Sequence, residues 1–174
     1  LRNLGGQQIF ASQLVNYHIF AAGVLEARPY HTGIRSANWN YSSFVIAESA
    51  ANTAGNYGCQ LWISATLPMN DGPDARITSN DLTVIYSDCR AIIARLSTKW
   101  HIILFIVAHG PHAGSADPEA ADQFWEKLER EVRRCSRRSD VLVLLTDANA
   151  QLRSESPQCI THAAPFMHFL AALG

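Results

Sequence analysis

VLVLLTDANAQL, residues 141–152, runs five aliphatic side chains straight into Thr146-Asp147-Ala148-Asn149. The apolar run reads as a strand, and its polar ending is the part that needs a reason. On an extended backbone Asp147 and Asn149 project to one face, while the small Ala148 points away. An anionic acceptor then stands beside a neutral group that both donates and accepts. Such a pair can hold an attacking water and a phosphate oxygen together, as in-line phosphoryl transfer requires. The same residues also fit an Asx turn that merely ends the strand.

Working outward, Pro118 to Arg138 places Phe124, Leu128 and Val132 four residues apart, which predicts an amphipathic helix with Asp117 as its cap and Pro118 in its first turn. Ahead of it, Leu82, Val84 and Tyr86 alternate, Ala91 to Leu96 repeats the strand character, and Ile102 to Ala108 is almost continuously apolar. These three predict neighbouring strands. Tyr41 to Glu48 and Gln60 to Ser64 predict two more, joined through the turn-forming ANTAGNYG, while Asn70 to Pro73 marks another turn. Near the start, Gln7 to Tyr17 has helical spacing at Phe10, Leu14 and Tyr17 and leads into a buried strand, Ile19 to Leu25, ending at Glu26. The last apolar stretch, Pro165 to Leu173, closes like a helix meeting Gly174. Strands packed against helices, without repeat or linker, predict one domain over residues 1–174.

Composition narrows the function. In 174 residues, 48% are hydrophobic and 17% charged, enough for one domain with a true core. The 14 basic and 15 acidic residues nearly cancel, so any nucleic-acid partner must be held by a local patch. Cys59, Cys89, Cys135 and Cys159 form no CxxC pair, which argues against a zinc ribbon and for a reduced, intracellular setting. No apolar run approaches the roughly 20 residues of a membrane span, and the start lacks a secretory signal. Leu1 and Gly174 both look like cuts through a longer chain.

Two other strand ends carry capable side chains. In VLEAR, residues 24–28, Glu26 is a hard oxygen ligand suited to Mg²⁺, and Arg28, two residues along an extended chain, can orient it or grip a phosphate. An acid and a base simply leaving a strand for solvent is the plainer alternative. In FIVAHGPHAG, residues 105–114, His109 ends the most hydrophobic strand and Gly110-Pro111 turns the chain at once. His109 can serve as an acid or as a donor to a phosphoryl oxygen. His109 and His112 also have HxxH spacing, a weak zinc signal with no third ligand nearby in sequence. RRCSRR, residues 133–138, shares its helix with Glu126, Glu129 and Glu131 and reads as a solvated charged face rather than a DNA patch. Trp39, Trp62 and Trp125 can stack on bases, although the apolar settings of Trp62 and Trp125 favour the core.

Taken in order, LEAR, GCQLWIS, AHGPHAG followed by Phe124-Trp125, and TDANA resemble the endonuclease/exonuclease/phosphatase superfamily, the DNase I-like phosphodiesterases. The resemblance is nearest to the endonuclease domains of LINE-type non-LTR retrotransposons and extends over essentially the whole chain. It implies an α+β fold, a four-layer α/β/β/α sandwich, incomplete at both ends. It further implies that Glu26 binds the metal, Mg²⁺ with Mn²⁺ as a substitute, and that His109 contacts the scissile phosphate. Asp147 corresponds to the residue positioning the water and Asn149 to its support, with Arg28 and His112 as substrate-binding neighbours. The implied substrate is DNA, and the implied compartment nuclear. The family's opening asparagine strand precedes Leu1, Asn3 does not take its role, and the closing aspartate-histidine pair would lie beyond Gly174. That leaves three expectations: a DNA-nicking endonuclease domain, feeble as this fragment; a phosphodiesterase or phosphatase on other substrates; or a non-catalytic remnant that binds nucleic acid. Thr146 and Leu25 replace the family's usual glycine and glutamine.

Overall fold

The computed structural model describes residues 4–39, 42–66, 76–99, 101–112, 119–149 and 157–173. Helix α1 (Leu4–Asn16) precedes strands β1 (Ala21–Val24), β2 (Gly33–Trp39), β3 (Ser42–Glu48) and β4 (Gln60–Ser64). These four form one antiparallel sheet in the order β1-β4-β3-β2. Strands β5 (Leu82–Ser87), β6 (Ala91–Ser97), β7 (Ile102–His109) and β8 (Val141–Asp147) form the second sheet in that order. The pairing β7–β8 is parallel, and helix α2 (Ala120–Cys135) makes the crossover that a parallel pair requires. Helix α3 (Pro157–Leu173) follows β8.

Alternation of side chains across the strands produces the layers. Val45, Ala47, Leu61 and Ile63 from the first sheet meet Ile92, Ala94, Leu96, Phe105 and Val107 from the second in a dry core between them. The intervening residues point outward: Phe44, Ile46 and Trp62 pack under Ala11 and Leu14 of α1. On the far side Ile93, Leu104 and Ile106 pack under Trp125, Leu128 and Val132 of α2 and Phe166 and Phe169 of α3. The order helix, sheet, sheet, helix is the four-layer α+β sandwich expected from the sequence. Among the described residues no helix is long and apolar enough to cross a membrane.

Several sequence expectations shift. The first helix starts at Leu4 rather than Gln7, and the following strand covers only Ala21–Val24. Strand β2 was not anticipated, because in GIRSANW the adjacent polar Arg35 and Ser36 break any apolar alternation and the strand sits half-exposed at a sheet edge. The α2 N-cap is Glu119, without a side-chain cap bond, while Asp117 and Pro118 lie outside the described residues. The apolar stretch Pro165 to Leu173 is helical, as its ending suggested, but helix α3 begins earlier, at Pro157, and carries Pro165 inside it. Tyr41, the turn at Asn70 to Pro73 and Gly174 also lie outside the described residues.

Two contacts, at opposite ends of the second sheet, fix how its strands meet their neighbours. A Cβ on Gly23 of β1 would stand 2.8 Å from Leu145 Cβ and 3.1 Å from Val107 Cγ1, so the absent side chain lets β1 lie directly against β7 and β8. Arg95 of β6 donates to Cys135 O at 2.6 Å and pairs with Asp140 at 2.9 Å, fixing where α2 ends and β8 begins.

Candidate functional site

The close approach at Gly23 brings the C-terminal ends of β1, β7 and β8 to one rim of the sandwich. On β7 and β8 the residues facing the other sheet are Phe105 and Val107, and Val143 and Leu145. Continuing that alternation, His109 and Asp147 end their strands on the same side, and they are register partners.

Past Val24 the chain is not extended. Glu26 has φ 52° and Arg28 φ 53°, with buried Ala27 between them. This corrects the expectation that Glu26 and Arg28 share one face of a strand. The two left-handed residues are held by backbone bonds from Ala27 N to Gly58 O, 2.9 Å, and from Arg28 N to Tyr57 O, 3.0 Å. Both side chains are exposed. Gly58 (φ 84°) has no room for a Cβ, which would fall 2.5 Å from Pro29 Cδ.

The stretch after β8 is likewise turned rather than extended. Asn149 has φ 50°, and its N–H donates to Asp147 Oδ1 at 3.0 Å. That is an Asx turn, the local geometry weighed against function in the sequence. The turn nevertheless has a consequence for the site. Asn149 Nδ2 donates to Gly110 O at 2.7 Å, and Gly110 N donates to Asp147 O at 2.8 Å, so the two strand ends are latched together. Asp147 itself remains exposed. Thr146 donates its hydroxyl to Ala108 O at 2.7 Å and adds a third tie.

His109 is only 3% exposed, and its Nδ1 has no hydrogen-bond partner. Its ring meets Tyr57 edge-on at 6.1 Å and His112 edge-on at 5.3 Å. Burial lowers its pKa from the ordinary 6.5, the Arg90 and His112 charges lower it further, and Glu26 and Asp147 oppose them. These effects together favour the neutral imidazole. Glu26, His109 and His112 each offer a ligand atom, and these atoms lie within 4.8 Å of one another.

Arg90 escaped the sequence reading. It accepts the His109 N–H through its carbonyl at 2.8 Å, donates to the carbonyls of His109 and Gly110, each at 3.2 Å, and lies 3.9 Å over the Tyr57 ring. Asp88 holds it there. One Asp88 oxygen accepts from the amides of Arg90 and Ala91, both 2.8 Å, and the other from Tyr86 and Lys127. An Asp followed by two amides it can cap was the available signal in DCRA. The β5–β6 register shifts between Val84 and Tyr86, just ahead of this contact.

Arg133 and Arg134 pair with Glu129 and Glu131 on α2, which supports the solvated-face reading of RRCSRR. Trp62 and Trp125 are buried, and Trp39 stacks on Trp62 at 5.4 Å. Asn3 lies outside the described residues.

With this geometry the solved endonuclease domain of TRAS1, a telomere-specific non-LTR retrotransposon, superposes at a TM-score of 0.57 and 15% identity. The chain has the fold of that endonuclease domain. The match covers 97% of this chain and 66% of the other, so the endonuclease fold is represented here by about two thirds of the TRAS1 length. No protein-family model and no curated protein sequence matches the chain.

Proposed function

We propose that this domain, residues 1–174, supplies one side of a metal-dependent phosphodiester hydrolase centre and acts on DNA as a nicking endonuclease. The observation that carries the reading is the convergence of Glu26, His109, Asp147 and Asn149 at one rim of an endonuclease fold. Each stands at or just past the end of a strand, and the four come from three separate strands.

In this reading the exposed Asp147 carboxylate accepts a proton from the attacking water and aims it at phosphorus. Asn149 fixes that carboxylate through its own amide and keeps one side-chain N–H for a phosphate oxygen, the other being used on Gly110. His109, neutral and held by the Arg90 carbonyl, donates an N–H to a non-bridging oxygen as negative charge grows there. Arg28 and His112, both exposed at this rim, contact the flanking phosphates.

The residues fit a hard divalent cation. Mg²⁺ is commonly bound through one or two carboxylates, with waters and substrate phosphate filling the remaining positions, and Glu26 presents an exposed carboxylate there. Mg²⁺, or Mn²⁺ in its place, neutralises charge on the phosphate when bound.

Nicking of supercoiled plasmid by the protein carrying this domain tests the proposal. Nicking that needs Mg²⁺ and is lost in Glu26→Gln is expected. Hydrolysis of small phosphate esters alone would move the assignment to a different substrate. DNA binding that survives chelation, without cleavage, would replace it by a non-catalytic role. A nuclear setting follows from a DNA substrate, and localisation of a tagged protein checks it.

A further inference from the structure

We propose that Glu26, His109 and His112 together form a binding site for a borderline transition-metal cation, Zn²⁺ foremost, and that its occupancy switches off the Mg²⁺-dependent centre. The inhibitory half rests on the function proposed above, whereas the binding half does not.

The HxxH spacing alone lacked a third ligand, and the fold supplies one. The chain places the Glu26 carboxylate, from the far end of β1, beside both imidazoles, with one ligand atom from each residue inside a 4.8 Å span. Zn²⁺ bonds to imidazole nitrogen and carboxylate oxygen are about 2.0–2.2 Å, which puts adjacent ligand atoms closer together than this span. The closure required is small. Glu26 and His112 are exposed, and among the described residues no hydrogen bond holds either side chain. His109 is the fixed member: it is 3% exposed and has a buried nitrogen, Nδ1, with no partner. An orphaned buried nitrogen is costly, and a metal beside this ring either takes that nitrogen as ligand or bonds its neighbour in the same imidazole.

The donor set selects the ion. Two imidazoles and one carboxylate with an open fourth position suit Zn²⁺, and Co²⁺ as its spectroscopic substitute, while Mg²⁺ prefers oxygen ligands. The backbone prepares the set. Glu26 sits in a left-handed turn tied to Tyr57 and Gly58, and His112 follows the buried Pro111 immediately after the Arg90-anchored Gly110. Sharing Glu26 sets Zn²⁺ and Mg²⁺ in competition for one carboxylate, and Zn²⁺ on His109 and His112 occupies the space in which the phosphate would meet these rings.

Titration of the purified protein with Zn²⁺ against a chromophoric chelator, and with Co²⁺ by visible absorption, tests the site without reference to catalysis. One tight equivalent per chain is expected. Glu26→Gln and His112→Ala are each expected to weaken it by at least the roughly 10–100-fold that loss of an outer-shell partner costs. His112→Cys restores binding through a thiolate, which a merely structural His112 would not allow. Absence of a stoichiometric site in the folded wild type, or binding that ignores both variants, overturns the proposal. Plasmid nicking in Mg²⁺ with added Zn²⁺ separates the two claims. Nicking that persists with Zn²⁺ bound overturns the switch; Zn²⁺ binding with no Mg²⁺-dependent nicking supports the site and overturns the nuclease reading.

Discussion

His109 and Asp147 are register partners at the ends of the parallel strands β7 and β8, and the turn beyond each is latched to the other through Gly110 and Asn149. The buried histidine and the exposed aspartate are thereby set side by side by main-chain bonds rather than by a bond between themselves. The lowered pKa of His109 comes first from burial and then from Arg90. NMR titration of the imidazole is expected to show a midpoint below the ordinary 6.5, and Arg90→Met is expected to move it upward. An unchanged midpoint in Arg90→Met would remove Arg90 as a cause.

The latch has no spare room. A Cβ on Gly110 would stand 2.4 Å from Ala148 O and 3.0 Å from Trp125 Cζ2. Gly110→Ala must therefore part the two turns or push α2 outward, at a cost of about 1–3 kcal/mol. Urea denaturation is expected to show that loss, together with weakened nicking; a variant as stable as wild type would mean the turns are not packed as described.

Asp88 ties the β5–β6 turn to α2 and carries a testable pH dependence. Burial raises its pKa, but the Tyr86 hydroxyl, Lys127 and the Arg90 amide outweigh burial, so the net shift is below the ordinary 3.8. A carboxyl with a depressed folded pKa contributes stability in full above its unfolded value and loses it as pH falls through the folded one. The wild type is expected to lose stability from about pH 4 downward, where the unfolded carboxyl begins to protonate. In Asp88→Asn that portion of the acid slope disappears and the plateau at pH 7 drops. An unaltered slope below pH 4 in the variant would contradict the linkage.

Arg95 and Asp140 form a pair whose acid is wholly buried and whose base is 16% exposed. Removing one member strands the other, which in buried pairs costs about 3–5 kcal/mol. Asp140→Ala is expected to lower the denaturation midpoint accordingly, since it also frees the Arg137 amide that Asp140 accepts at 2.9 Å. A loss below about 1 kcal/mol, the value of a surface pair, would show that water reaches Arg95.

The parts of this fold visible in the sequence are those with strong periodicity. Ile102–His109 and Val141–Asp147 announce themselves by apolar runs, and α2 by its four-residue spacing. Strand β2 does not, because an edge strand half in solvent has little apolar signal to give. The types of the site residues were legible at the three strand ends, but their geometry was not. Glu26, Arg28 and Asn149 adopt left-handed backbone that non-glycine residues rarely choose, and for the first two it is bonds to Tyr57 and Gly58, distant in sequence, that hold them there. Arg90 had no place in the sequence reading, since its partners His109, Gly110 and Tyr57 are assembled only by the fold.

The central claim is that Glu26 and Asp147 belong to one phosphodiesterase centre. The most direct test is the rate of supercoiled-plasmid nicking in Mg²⁺ by the protein carrying this domain, compared with Glu26→Gln and Asp147→Asn at matched folding by circular dichroism. The account predicts metal-dependent nicking that falls by about 10²–10⁴-fold in Asp147→Asn, the range for a lost acid/base group, and is abolished in Glu26→Gln. Nicking at the wild-type rate in both variants, or a wild type that cuts equally well in chelator, would contradict it.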